Sequence, residues 1–64
     1  MYTITLVLRN GTHTFRAYRA TAIPNVGDKI LLDSKGNYFS VEERLFNIDN
    51  EEAVVLRGIS STTV

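Results

Sequence analysis

The sequence predicts an all-β fold, a small, strongly bent antiparallel barrel of five strands. Three observations carry that expectation. Apolar and polar residues alternate at period two along the first strand-like runs, turn residues recur at short intervals, and no stretch holds the 3.6-residue apolar period of a helix of ordinary length. With 64 residues, 44% of them hydrophobic, the chain can build one core and has no room for a second. Residues 1–64 are therefore read as a single β-barrel domain. There is no cysteine, so neither disulfides nor thiolate metal sites can reinforce it. Closure of the barrel or self-association remains as extra support for so small a core.

The first two strands flank Asn10-Gly11, a pair suited to a type I′ turn because both central residues of that turn need φ > 0. A two-residue turn there sets Arg9 against Thr12, Leu8 against His13, Leu6 against Phe15 and Ile4 against Ala17. In that register Ile4, Leu6, Leu8, Phe15 and Ala17 share the core face. Thr3, Thr5, Arg9, Thr12, Thr14, Arg16 and Tyr18 then look outward, with Val7 the one apolar residue among them.

Residues 20–28 form a connection in which Pro24 and Asn25 supply a turn. A third strand follows over Lys29–Asp33, with Ile30 and Leu32 inward. Asp33-Ser34-Lys35-Gly36-Asn37 makes a tight hairpin with Gly36 in the left-handed position of a bulged turn. The fourth strand starts at Tyr38 and is long. Its apolar phase switches near Glu42-Glu43, so it bends or bulges there; a short helix over Val41–Phe46 is the alternative. Asp49-Asn50-Glu51-Glu52 is a polar turn and Ala53–Ile59 the fifth strand, where Gly58 marks a bulge or a close backbone approach. Residues 60–64 are a frayed tail or an edge extension. The expected core is Ile4, Leu6, Leu8, Phe15, Ala17, Ile30, Leu32, Phe39, Val41, Val54 and Leu56, with one of Leu45 or Phe46.

Pro24, Gly27-Asp28, Ile30 and Leu32, followed by Gly36, Tyr38 and Val41, resemble the pattern of small SH3-like barrel proteins, many of them bacterial and phage open reading frames. The resemblance spans roughly residues 24–46. It implies a fold and carries over no catalytic or binding residue.

Charge and motifs exclude more functions than they suggest. Seven basic and seven acidic residues cancel, whereas dedicated nucleic-acid binders usually carry a basic excess. The charges are segregated: residues 1–27 hold Arg9, Arg16 and Arg19 and no acid, while residues 28–64 hold four bases against seven acids. Such a split can steer partners, and it also arises when strands from the two halves neutralise each other. His13 is the lone histidine and sits near a turn, where a rim position explains it without catalysis. Glu42 and Glu43 are neighbours on a strand and so point apart rather than forming an acid–base pair. The isolated glycines cradle no phosphate. No catalytic, metal or cofactor site is expected.

No apolar run is long enough to span a membrane, and no basic-then-apolar leader opens the chain, so the expected location is cytoplasmic. The best functional candidate is the outward hairpin face, where Arg9, Arg16, Tyr18, Thr3 and Thr5 can contact a protein. The same residues can stack bases and meet phosphates of single-stranded nucleic acid, or can simply be a solvated face that protects the sheet edge. The leading expectation is a non-enzymatic protein-binding module, an accessory or inhibitor factor of the kind phage and mobile elements encode. Weak nucleic-acid binding and a structural subunit of an assembly are the other readings, and exposure of Val7 suggests a weak homodimer. Thr62-Thr63-Val64 has the ending that PDZ domains capture by strand addition.

Overall fold

The structure is a computed structural model that describes residues 1–11 and 14–61. Five strands form one sheet: β1 (Tyr2–Leu8), β2 (Thr14–Ala20), β3 (Lys29–Leu31), β4 (Tyr38–Phe46) and β5 (Ala53–Ser60). Their order across the sheet is β2-β1-β5-β4-β3, and the sheet curls strongly into a half-barrel. Three neighbouring pairs are antiparallel, but β1 and β5 run parallel, from Thr3 beside Ala53 to Leu8 beside Gly58. The expected all-antiparallel barrel is corrected here. The consecutive strands β1/β2, β3/β4 and β4/β5 pair in antiparallel fashion, β2 and β3 do not pair, and the parallel pair is the long-range one, β1 with β5.

Register partners project from one face of a sheet, so rows of side chains cross the half-barrel. On the concave face Tyr18, Ile4, Val54 and Phe46 make one row, and Arg16, Leu6, Leu56 and Arg44 the next. The core consists of Ile4, Leu6, Phe39, Val41, Val54 and Leu56, all essentially inaccessible. Leu8, Phe15, Ile30 and Leu32 pack against it half-buried, as do Tyr2, Tyr18, Ala20 and Ile23. Phe15 stacks on Phe39 with ring centroids 6.2 Å apart, an arrangement that adds to simple area burial.

The first hairpin departs from expectation in its turn and its register. Gly11 N–H donates to the Leu8 carbonyl at 3.0 Å, so Arg9 and Asn10 are the central turn residues. Neither has positive φ, nor does Gly11, and a type I′ turn is therefore absent. The turn comes early because β1 stays tied to β5: Arg9 N–H donates to the Gly58 carbonyl at 2.7 Å. Val7 faces Thr14 as expected, but a bulge follows, and Leu6 faces Arg16, Thr5 faces Ala17 and Ile4 faces Tyr18. The single extra residue moves the rest of β2 by one position. Arg16 and Tyr18 consequently join the concave rows, while Ala17 is exposed on the convex side. The expected pairs involving Thr12 and His13 lie outside the described residues, as does the Thr62-Thr63-Val64 ending.

Val7 is 9% exposed rather than open, which removes the reason given for a homodimer through it. It lies on the inner strand β1 between Thr14 and Arg57. Leu45 and Phe46 are exposed, and neither completes the core. Leu45, opposite Val55, lies on the convex face, and Phe46 is left uncovered because β3 pairs with β4 only over Tyr38–Ser40. Phe46 falls in a concave row, but no strand among the described residues covers that end of β4.

Several local expectations hold. β4 is a strand throughout, with its irregularity between Val41 and Glu43. Gly36 has φ +93°, and the preceding turn is organised by Asp33, whose carboxylate accepts from Lys35 N–H at 2.8 Å and Asn37 Nδ2 at 2.7 Å. The turn expected around Pro24 and Asn25 sits further on. Asp28 N–H donates to the Asn25 carbonyl at 3.0 Å across Val26-Gly27, and Gly27 has φ +96°, the left-handed conformation that the third position of a type II turn requires.

Gly58 sits where the backbone of β4 passes close to β5. A Cβ added there would overlap the Ser40 carbonyl oxygen and lie 3.2 Å from Phe39 Cε1. Gly58→Ala must push backbone aside next to the largest core residue, so it should destabilise the fold by at least about 2–3 kcal/mol. Phe39→Ala should cost about 3–5 kcal/mol. Both are large against the roughly 3–10 kcal/mol expected for a domain of this size. Urea unfolding checks both, and a Gly58→Ala transition coincident with wild type would contradict the close approach.

Candidate functional site

Edges decide where this sheet can do work. Because β1 and β5 occupy the middle, β2 and β3 form the two ends of the sheet, and the curl brings those ends to face each other. Between them lies an open cleft of about 470 Å³. Leu6 lies beneath it, itself fully covered; Arg16, Ala17 and Tyr18 of β2 line one wall, and Ile30, Leu31 and Leu32 on and beyond β3 the other. The strands do not pair across it. Among the described residues one polar contact bridges it, from Arg16 Nη1 to the Leu32 carbonyl at 2.9 Å.

Each wall is placed by a local feature. The bulge in β2 turns Arg16 and Tyr18 toward the concave side. Opposite, the Asp33 turn ends β3 after three residues and returns the chain through Leu32 N–H to the Asn37 carbonyl at 2.7 Å, which directs the Leu32 carbonyl toward Arg16. Leu31 is 69% exposed at the rim. Burial pushes the Tyr18 phenol above its ordinary value, consistent with a ring that packs on the core while its edge reaches the cleft.

The five residues singled out in the sequence are not brought together. Arg16 and Tyr18 meet in the cleft. Thr3 and Thr5 lie on the convex face, partnered by Arg19 and Ala17. Arg9 sits beyond the end of β1 and is engaged by Glu42, with Nε donating to Oε1 at 2.8 Å and Nη2 to Oε2. This bidentate pair ties the first turn to the β4 bulge, and it joins a base of the first half of the chain to an acid of the second. Arg57 and Glu43, both of the second half, make a single-contact ion pair between β5 and β4 at 3.3 Å. Leu31 and Leu32 were missed as site residues. Their only signal was a run of three apolar residues, Ile30-Leu31-Leu32, longer than one buried face can use.

Chemically the cleft offers an apolar lining, one guanidinium and one phenol. Among the described residues no group of three or more His, Asp or Glu side chains could hold a metal ion, and no helix is long and apolar enough to cross a membrane.

Two carboxylates couple the fold to pH. The Arg9 hydrogen bond, reinforced by its charge, holds Glu42 below its usual value; the Asn37 side chain, then the Lys35 N–H, do the same for Asp33. A carboxyl whose folded value is depressed stabilises the fold above its unfolded value, and that contribution fades as pH falls through the folded one. Stability should therefore decline on acidification through and below the ordinary carboxylate range, and Glu42→Gln and Asp33→Asn should each flatten the decline. Urea midpoints measured across that range provide the check, and an unchanged slope in both variants would refute the assignment.

No family model matches the chain, and no curated protein or solved structure matches it either.

Proposed function

We propose that this chain is a non-enzymatic protein-binding module whose cleft receives an extended segment of a partner between β2 and β3. The observation that carries the reading is the pair of unpaired strand edges facing each other across an apolar-lined cleft. An exposed edge presents backbone donors and acceptors, and adding a strand is the most direct way to satisfy them. A strand inserted between two others needs roughly 9–10 Å between them, and here one arginine side chain and its hydrogen bond reach across from β2 to the Leu32 carbonyl. One inserted strand would thus continue the sheet from both sides and close the half-barrel. An accessory or inhibitor factor is the role we assign to such a module, and the resemblance to SH3-like barrels of phage and bacterial reading frames is the basis for placing its origin there.

The test combines capture with mapping. A partner recovered from the native host should slow amide exchange along β2 and β3 when added to the purified chain. Leu31→Asn should weaken its capture about tenfold, because it removes an apolar contact from the rim. The same substitution should leave stability within about 0.5 kcal/mol, as expected for an exposed position. Labelled single-stranded oligonucleotides at low salt serve as the control and should show no binding at the cleft. Equal capture by Leu31→Asn together with unprotected β2 amides would eliminate the cleft as the binding site.

A further inference from the structure

Among the described residues Arg16 is the one charged side chain lining the cleft, and none of their carboxylates forms an ion pair with it. The ion pairs among the described residues join Arg9 to Glu42 and Arg57 to Glu43; Arg16 belongs to neither. The acid that feels the Arg16 charge, Asp33, does so weakly. Both its carboxylate oxygens are engaged by its own turn, one by Lys35 and Asn37 backbone N–H groups and the other by the Asn37 side chain. Arg16 instead donates from Nη1 to a neutral carbonyl, that of Leu32. A guanidinium has five donors in a fixed fork that matches a carboxylate with two parallel hydrogen bonds, and a lone carbonyl satisfies little of that capacity. The rest of β2 adds Arg19 and no acid, since residues 1–27 contain none.

A strand entering the cleft must also deal with the Arg16 bridge, because that side chain crosses the space the strand would occupy. The guanidinium has to swing off the Leu32 carbonyl and find another acceptor. We propose that the occupant is an extended acidic segment of another protein, with an aspartate or glutamate paired to Arg16 and flanking apolar residues seated on Tyr18 and Ile30. The proposal rests on the cleft as a strand-binding site and adds the partner's chemistry to it. The bridge then acts as a latch that an acid releases and a neutral strand does not, which gives selectivity to a contact otherwise made by backbone alone.

A displayed library of random heptapeptides, selected on the immobilised wild-type chain, supplies the probe. Recovered sequences should share one carboxylate flanked by β-branched or aromatic residues. A synthetic consensus peptide should shift backbone amide resonances of β2 and β3. Replacing its acid with the matching amide should weaken binding at least tenfold, and Arg16→Gln should do the same. In a double-substitution cycle the two losses should not add, because each removes the same pair. Arg16→Lys should restore part of the affinity, and thermal melts of both variants should match wild type because Arg16 is exposed. An acid-free consensus that still perturbs β2 and β3 would overturn the acidic partner while leaving strand addition standing. Peptides that perturb neither strand would overturn the cleft reading itself. Salt-sensitive oligonucleotide binding lost in Arg16→Gln would assign the guanidinium to phosphate and overturn the proposal.

Discussion

The parallel pairing of β1 with β5 is the constraint from which the rest of this molecule follows. It places side by side two strands that carry much of the buried core, so Ile4, Leu6, Val54 and Leu56 form a continuous inner surface. With those strands in the middle, β2 and β4 must lie outside them, and β3 outside β4. The chain then has five strands and two ends to its sheet, and closure would require β2 to pair with β3. The β2 bulge and the three-residue length of β3 work against that pairing. What remains is a half-barrel with an entrance.

The entrance is inexpensive to keep open because it is not entirely empty. Phe15 reaches over the core to stack on Phe39, Tyr18 and Ile23 pack on the same cluster, and Arg16 crosses to the far wall. These side chains shield the core from water without committing the backbone of β2 or β3 to a partner. Edge strands are normally blunted by charge, shortness or bulging, and this sheet uses all three at its two ends. Stability and availability are thus divided between different parts of the same strand.

How much of this was legible can be judged strand by strand. All five strands, the bend in β4, the Gly36 turn and the role of Gly58 came from local chemistry, because period-two alternation, turn residues and an isolated glycine are local signals. The register of β2 did not. A bulge adds one residue without altering composition, and β2 is too sparsely apolar for its pattern to reveal the slip. Moving Tyr18 inward and Ala17 outward exchanges an aromatic ring for a methyl group, so either register buries something. The parallel central pair was equally hidden, because nothing in the residues of β1 distinguishes a nearby strand from one near the far end of the chain. The cleft depends on both features, which is why the candidate site had to be divided and rebuilt around Arg16.

The central pair also sets the order in which the chain can acquire its structure. Thr3 meets Ala53 and Leu8 meets Gly58, each contact fifty positions apart in sequence. During synthesis β1 leaves the ribosome first and waits until β5 has been made before its inner edge is covered. Contacts of such separation demand that the loop-closure entropy be met before they stabilise anything, so this pair costs more to close than the hairpin pairs β1/β2, β3/β4 and β4/β5. Until then the β1–β2 hairpin exposes Ile4, Leu6 and an unpaired edge to every other nascent chain nearby, the condition under which strands mispair. For this protein, the interval between making the first strand and making the last is the period of greatest exposure to aggregation.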